Sequence, residues 1–231
     1  MAADEFTQLI SMMFKSHPWH GVNPGPNAPD KLSAYIEIVP SDAVKLELDK
    51  ATGHLSVDRP QTLSSLCPML YGFVPQTYCG DKIGQFCATK TGAKKIIGDG
   101  DPLDICVLTE KEFSHGDLFV TVRPSGGLRM VDHGEADDKI IAVLEQDVAY
   151  GHLTDISQCP EGVITRLKHY FLSYKRPPDQ KPGGKPVVAI KEVYGRKEAL
   201  QVIRLSMQDY ADKYGTQESR MARLKALLKS S

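Results

Sequence analysis

The sequence predicts a single α+β domain, an antiparallel, barrel-like sheet followed by helices in the last third. Three observations carry this expectation. Residues from Ala34 to Asp58 alternate apolar and polar with a period of two. Short strand-like runs then recur at 103–108, 117–123, 128–131 and 139–144, separated by turn clusters such as Pro124-Ser125-Gly126-Gly127. The last third changes to helical spacing. With 231 residues, 41% of them hydrophobic, the chain has enough apolar surface for a sizeable core. Neither repeat nor linker divides it, so one domain over 1–231 is the economical reading. Within it, an N-terminal helix and loop occupy 1–32, a core 33–196 and C-terminal helices 197–231.

The elements follow in order. Residues 4–16 read as an amphipathic helix with Phe6, Leu9, Ile10 and Met13 on one stripe. Four prolines and two glycines between His17 and Pro29 then forbid regular structure. His17 and His20 lie there; a metal-binding pair is conceivable, but packing against Trp19 is the better reading because no third ligand type is near. Val44, Leu46 and Leu48 alternate with Lys45, Glu47 and Asp49, the pattern of a half-buried strand. Ala51-Thr52-Gly53 reverses the chain, and Leu55 and Val57 continue the apolar face. Pro160 to Lys175 reads as a helix, with Val163, Ile164, Leu167, Tyr170, Phe171 and Tyr174 at helical spacing and Pro177-Pro178 beyond its end. A second helical pattern covers 196–213. The basic stretch Arg220 to Lys229 is a third, read as a docking or solvated helix.

Bulk properties exclude several classes. A formal net charge of −1, from 28 basic and 29 acidic residues, argues against holding nucleic acid by overall charge. No apolar run is long enough to cross a bilayer, and the acidic start Met-Ala-Ala-Asp-Glu-Phe is unlike an export signal. Five cysteines without a C-x-x-C pair fit a reduced cytosol, so a cytoplasmic location is expected. Cys79 and Cys87 are spaced to meet across a hairpin, although two half-buried thiols is the better reading.

Chemistry concentrates in Asp99-Gly100-Asp101-Pro102-Leu103-Asp104. Glycine permits a tight backbone and proline prevents a helix, so three carboxylates converge within six residues. Such a group needs a counter-charge, and all-oxygen ligands select a hard cation, magnesium or manganese before zinc. A solvated acidic turn is the bland alternative. The apolar run Leu103-Ile105-Cys106-Val107-Leu108 weighs against it by anchoring the turn to a buried strand. An EF-hand fails because Asp104 stands where glycine is required and Leu103 where an oxygen ligand is. A haloacid-dehalogenase pattern, which sets its aspartates at the end of an apolar strand and follows them with threonine or valine, fails because Gly98 intervenes and Leu103 occupies the later place. A second acidic cluster, Asp132, Glu135, Asp137 and Asp138, precedes Lys139 and is expected to supply further oxygen ligands. Lys45, Arg59, Lys139 and Lys175 are cations of the kind that an anionic substrate requires.

From about Tyr35 to Lys175 the chain resembles the family I soluble inorganic pyrophosphatases. Gly98-Asp-Gly-Asp-Pro-Leu-Asp104 is similar to that family's specific signature D-x-D-P-x-D. Flanking matches are Ile36-Glu37-Ile38, Lys45-Leu-Glu47, Val57-Asp-Arg59, Tyr71-Gly72-Phe73 and Tyr174-Lys175. The resemblance implies a five-stranded, OB-like antiparallel β-barrel with flanking helices, hydrolysing pyrophosphate with magnesium, for which manganese can substitute. It implies that Asp99, Asp104 and Asp132 ligate two activating metals, with Asp101 as the base for the attacking water. Asp137 would bind a metal arriving with substrate, near Lys139. Lys45, Arg59, Tyr71, Tyr174 and Lys175 would hold phosphate groups, and Glu37 and Glu47 would tune the metals or the surrounding network. A homo-oligomer is implied too, hexameric in bacterial members and dimeric in other branches, with neither nucleic acid nor membrane as partner.

The sequence departs from the pattern in three places. Cys67 stands where many members carry tyrosine. His133 follows Asp132 where an acidic residue is common, which is expected to weaken one metal position or shift its pH dependence. The stretch from Gln76 to Gly98 is longer than in compact bacterial members; it reads as an extra hairpin over the rim, with Lys82, Lys90, Lys94 and Lys95 near the site. Among rival activities, nucleoside triphosphate hydrolysis lacks a P-loop, and a catalytically dead metal-binding protein sits poorly with the complete aspartate triplet.

Overall fold

The protein is described by a computed structural model over residues 15–61, 66–174 and 188–229. Residues 4–14 of the expected first helix, and also Lys175 and Pro177-Pro178, lie outside the described residues. The architecture is mixed α+β. Its elements are β1 (Leu32–Ile38), β2 (Val44–Leu48), β3 (Leu55–Pro60), β4 (Leu70–Phe73), α1 (Asp81–Thr91), β5 (Ile97–Gly98) and β6 (Asp104–Leu108). There follow β7 (Leu118–Asp132), β8 (Glu135–Ala136), β9 (Lys139–Leu144), α2 (Glu161–Ser173), β10 (Val188–Gly195), α3 (Arg196–Tyr214) and α4 (Gln217–Lys229). The three helical patterns of the last third are all present.

Five strands close on themselves in the order β1-β4-β6-β9-β7, because β7 also pairs with β1. The ring is not wholly antiparallel as expected. β6 and β9 run parallel, with Asp104 opposite Lys139. Returning the chain in the same direction requires a crossover, and here the long β7 supplies it. β2 and β3 form a separate hairpin with Lys45 opposite Arg59, the turn at Ala51-Thr52-Gly53 falling where period-two alternation placed it.

Two expectations are corrected. Pro124-Ser125-Gly126-Gly127 is not a turn between strands but the middle of β7, where a bulge shifts the register against β9. The glycines admit β10: a Cβ at Gly126 would lie 2.5 Å from the Tyr194 carbonyl oxygen, and one at Gly127 2.4 Å from the Tyr194 ring. The 76–98 stretch is no hairpin either, since it holds helix α1. That helix is capped by Asp209 of α3, which accepts from the backbone N–H groups of Gly80 (3.0 Å), Lys82 (3.1 Å) and Ile83 (3.1 Å). Its lysines serve α3 rather than the rim: Lys82 pairs with Asp212 and Lys90 with Glu198, while Lys94 and Lys95 are exposed. Cys79 and Cys87 are free and fully buried, Cys87 within α1, and do not face one another across a hairpin.

Alternation along the strands divides the core. Ile36, Ile105, Val107, Val122, Ile140 and Ala142 pack with Ile83 of α1 and with Val202 and Ile203 of α3. Cys106, Leu108, Met130, Ile141 and Val143 pack instead with Leu167, Tyr170 and Phe171 of α2. A smaller cluster joins Trp19 to Tyr35, Phe73 and Tyr210. His20 stacks on Trp19 with ring centroids 4.3 Å apart, so packing rather than metal binding explains this histidine. Burial, aided by His17 and Arg220, holds its imidazole down at about 4.

Candidate active site

A cleft of about 160 Å³ opens where the β2–β3 hairpin meets the ends of β4, β6 and β9. The acidic segment forms one wall. Gly100 has φ of +80°, a conformation that glycine adopts without penalty, and the tight turn lets Asp99 Oδ1 accept from the Asp101 N–H at 2.9 Å. Neighbouring backbone holds the turn: Cys79 N–H donates to Asp101 O at 2.8 Å and Gly100 N–H to Cys79 O at 3.0 Å. Leu103 is fully buried between the aspartates it separates from the core, as the apolar run after the motif foretold.

Asp104 begins β6 and lies opposite both Phe73 of β4 and Lys139 of β9. Its Oδ2 accepts from the Tyr71 hydroxyl at 2.6 Å. Lys139 pairs with Asp104 and with Asp137, its ammonium lying over the rings of Tyr71 (5.9 Å) and Phe171 (5.7 Å). Burial draws the Lys139 ammonium pKa down, but the two carboxylates outweigh it and hold it well above the usual lysine range. The Asp99 carboxyl is pushed up to about 8, chiefly by burial and further by Asp137 and Asp104. Glu37 is likewise pushed up to about 8, chiefly by burial, and accepts the Leu48 N–H at 2.7 Å. From the hairpin, Lys45 pairs with Glu47 (2.6 Å) and Asp58 (2.9 Å), and Arg59 with Asp58 (2.6 Å).

Of the residues singled out in sequence, the structure brings Glu37, Lys45, Glu47, Tyr71, Asp99, Asp101, Asp104, Asp137, Lys139 and Tyr174 to the cleft. Arg59 and Asp132 do not line it; Asp132 Oδ1 instead accepts from His133 Nδ1 at 2.7 Å. His133 itself is exposed, with φ of +49°. The second acidic cluster is split rather than pooled. Asp137 and Lys139 face the cleft, whereas Asp138 points the opposite way, accepting from Tyr194 Oη at 2.9 Å beside the buried Arg129. Glu135 pairs with β7 through β8 and is likewise absent from the cleft lining. Sequence reasoning missed Lys50, which pairs with Asp101 from the hairpin turn, and the wall residues Trp19 and Phe73.

The donor set decides what the cleft can hold. Asp99, Asp101, Asp104, Asp137 and Glu47 offer only oxygen, which suits a hard divalent cation. Among the described residues no three such groups already stand converged as a ready ligand set, and lysines hold Asp101, Asp104 and Asp137. Carboxylates held by lysines, beside an Asp99 carboxyl raised by burial and by Asp137 and Asp104, fit a cation able to replace those lysines.

The sequence matches the family described as inorganic pyrophosphatase over residues 34–211. A relative from Chlamydia caviae named inorganic pyrophosphatase is 52% identical over 199 residues, 86% of this chain and 92% of its own. Soluble inorganic pyrophosphatase 2 of Chlamydomonas reinhardtii is 37% identical, covering 86% and 91%. The crystal structure of inorganic pyrophosphatase from Thermus thermophilus superimposes with a TM-score of 0.68 at 29% identity, covering 85% of this chain and 99% of that one.

Proposed function

The chain belongs to the inorganic pyrophosphatase family, and on that premise we propose that it hydrolyses inorganic pyrophosphate to two phosphates in the cleft between hairpin β2–β3 and the acidic loop 99–104. The observation that carries this reading is the meeting of four aspartates with Lys45, Lys50 and Lys139 around one small opening. Phosphoryl transfer asks for that combination, because catalysis rests on positioning and charge neutralisation.

Magnesium is the metal we assign, with manganese as substitute; bound there, it would lower the pKa of water and neutralise phosphate charge. Asp99 and Asp104 would hold the activating metals, joined by Asp132 from beside the cleft, whose lining does not include it, and Asp137 one that enters with substrate. Asp101 would take the proton of the attacking water. Lys45, Tyr71, Tyr174, Lys139 and Lys175 would bind and orient the phosphate oxygens, with Arg59 reaching in from outside the cleft lining, and Glu37 and Glu47 would fix the hairpin wall. We read the five-stranded ring as an OB-like barrel within a single domain over 1–231. Among the described residues no helix is long and apolar enough to cross a membrane; a cytoplasmic, homo-oligomeric enzyme, dimer or hexamer, is our reading. The test is phosphate release from pyrophosphate, with ATP and tripolyphosphate as comparators, with and without magnesium. Asp101→Asn and Asp104→Asn should abolish magnesium-dependent release while circular dichroism stays native. Turnover close to wild type in either variant refutes the assignment.

A further inference from the structure

The acidic loop is templated by the segment 74–79. Besides the two bonds at Cys79, Val74 N–H donates to Leu103 O at 2.9 Å, and Leu103 N–H donates to Thr77 Oγ1 at 2.9 Å. The Thr77 hydroxyl is completely buried and donates in turn to Val74 O at 2.6 Å. It therefore acts as donor and acceptor at once, closing a circuit that fixes Leu103 between Asp101 and Asp104.

That template is itself pinned from outside the matched family region. Trp19, which precedes residue 34 where the family match begins, donates its Nε1–H to Thr77 O at 2.7 Å. Trp19 O accepts Gln76 N–H at 2.9 Å, so backbone and side chain both grip the segment. The indole is 2% exposed yet stands in the wall of the cleft, covered behind by His20 and Tyr214.

We propose that Trp19 and Thr77 are positioning residues that set the acidic loop for metal binding, Trp19 acting through Thr77 and Thr77 through the Leu103 amide. The proposal rests on the metal-site reading above. Thr77→Val keeps the shape of the side chain and deprives Leu103 N–H of its acceptor, which distorts the loop or leaves a buried donor unpaired. Thr77→Ser restores the hydroxyl. Trp19→Phe keeps an aromatic ring and removes the donor. Calorimetric titration with Mn²⁺ in the absence of substrate measures the binding itself. Affinity should fall about tenfold in Thr77→Val, the size of one lost buried hydrogen bond, and about threefold in Trp19→Phe on the same scale, while Thr77→Ser stays close to wild type. Trp19 is the chain's single tryptophan, so its emission should also change as Mn²⁺ is added to the wild type. A merely structural role predicts lowered melting temperatures with unchanged Mn²⁺ affinity, and that result overturns the proposal. Should Thr77→Val not fold, wild-type affinity in Trp19→Phe overturns it equally. Wild-type protein that takes up no Mn²⁺ defeats the underlying metal reading, which separates the two failures.

Discussion

Replacing Lys139 by methionine removes one charge and keeps most of the stem. The side chain is 5% exposed and pairs with Asp104 and Asp137, themselves 22% and 19% exposed. Stripping one partner from a buried ion pair costs about 3–5 kcal/mol. Both carboxylates retain some water, so the lower end, about 3 kcal/mol, is expected. In a chain of this size 1 kcal/mol moves Tm by about 2–4 °C, so the metal-free variant should melt about 6–12 °C lower. Methionine still packs against Tyr71 and Phe171, which leaves charge as the cause of the loss. A divalent cation supplies what the ammonium did, so magnesium should raise the variant's Tm by more than the wild type's. Calorimetry in chelator and in rising magnesium measures both quantities. Phosphate release, followed in parallel, should fall by about a hundredfold or more, because a positioned cation at the reacting phosphate is lost. A metal-free Tm within about 2 °C of wild type would refute the reasoning, since the lower bound above is three times that.

Two further substitutions probe backbone and acid sensitivity. Gly100→Ala meets only an ordinary van der Waals contact, with Tyr78 Oη 3.5 Å away as its nearest neighbour, so its cost is the left-handed backbone alone, about 1–2 kcal/mol; a modest drop in Tm with a much larger drop in pyrophosphate hydrolysis should be seen, and unchanged kinetics would contradict the role of this turn. Asp147 accepts from Thr109 Oγ1 (2.7 Å) and from the N–H groups of Glu110 (2.8 Å), Ala149 (3.0 Å) and Tyr150 (2.7 Å). Burial raises its carboxyl pKa, but these bonds outweigh burial and hold it below its ordinary value. A depressed native pKa means that the unfolded chain binds more protons, so this stabilisation is complete above about pH 4 and is lost as pH falls below it. Asp147→Ala should therefore cost about 2 kcal/mol at pH 7, and denaturant melts should show the gap from wild type narrowing toward pH 3; a gap independent of pH would contradict the assignment.

What was legible in sequence was what is encoded locally. The spacing of Asp99, Asp101 and Asp104 around Gly100 and Pro102, the alternation of β2 and β3, and the helical stripes of α2 and α3 each depend on a few consecutive residues. The features that were misread depend on distant ones. Helix α1 lacks a side-chain cap of its own because Asp209 supplies it from α3, so its local signals in the 76–98 stretch are only Asp81 in the first turn, Lys90 in the last and Gly92 past the end. Gly126 and Gly127 resemble a turn until β10 is known to lie against them. The pairing of Lys50 with Asp101 and the grip of Trp19 on Thr77 join segments 51 and 58 residues apart, and no period or motif announces them.

The division of the second acidic cluster shows why register matters more here than composition. Asp137, Asp138 and Lys139 are consecutive where the chain passes from β8 into β9, and the middle one turns to Arg129 and Tyr194 while the outer two face the cleft. Parallel pairing of β6 with β9 then sets Asp104 against Lys139. A slip of one residue would turn Lys139 into the apolar core and present Asp138 to Asp104, two carboxylates with no lysine between them. The buried Arg129, pushed upward by Asp138, Tyr194 and Glu198 against the opposing effect of burial, opposes that slip, because it would lose its Asp138 partner at the same time. The salt bridge behind the sheet and the one in the cleft thus select the same register, and the charge pattern of the cleft is held partly by residues that never touch it.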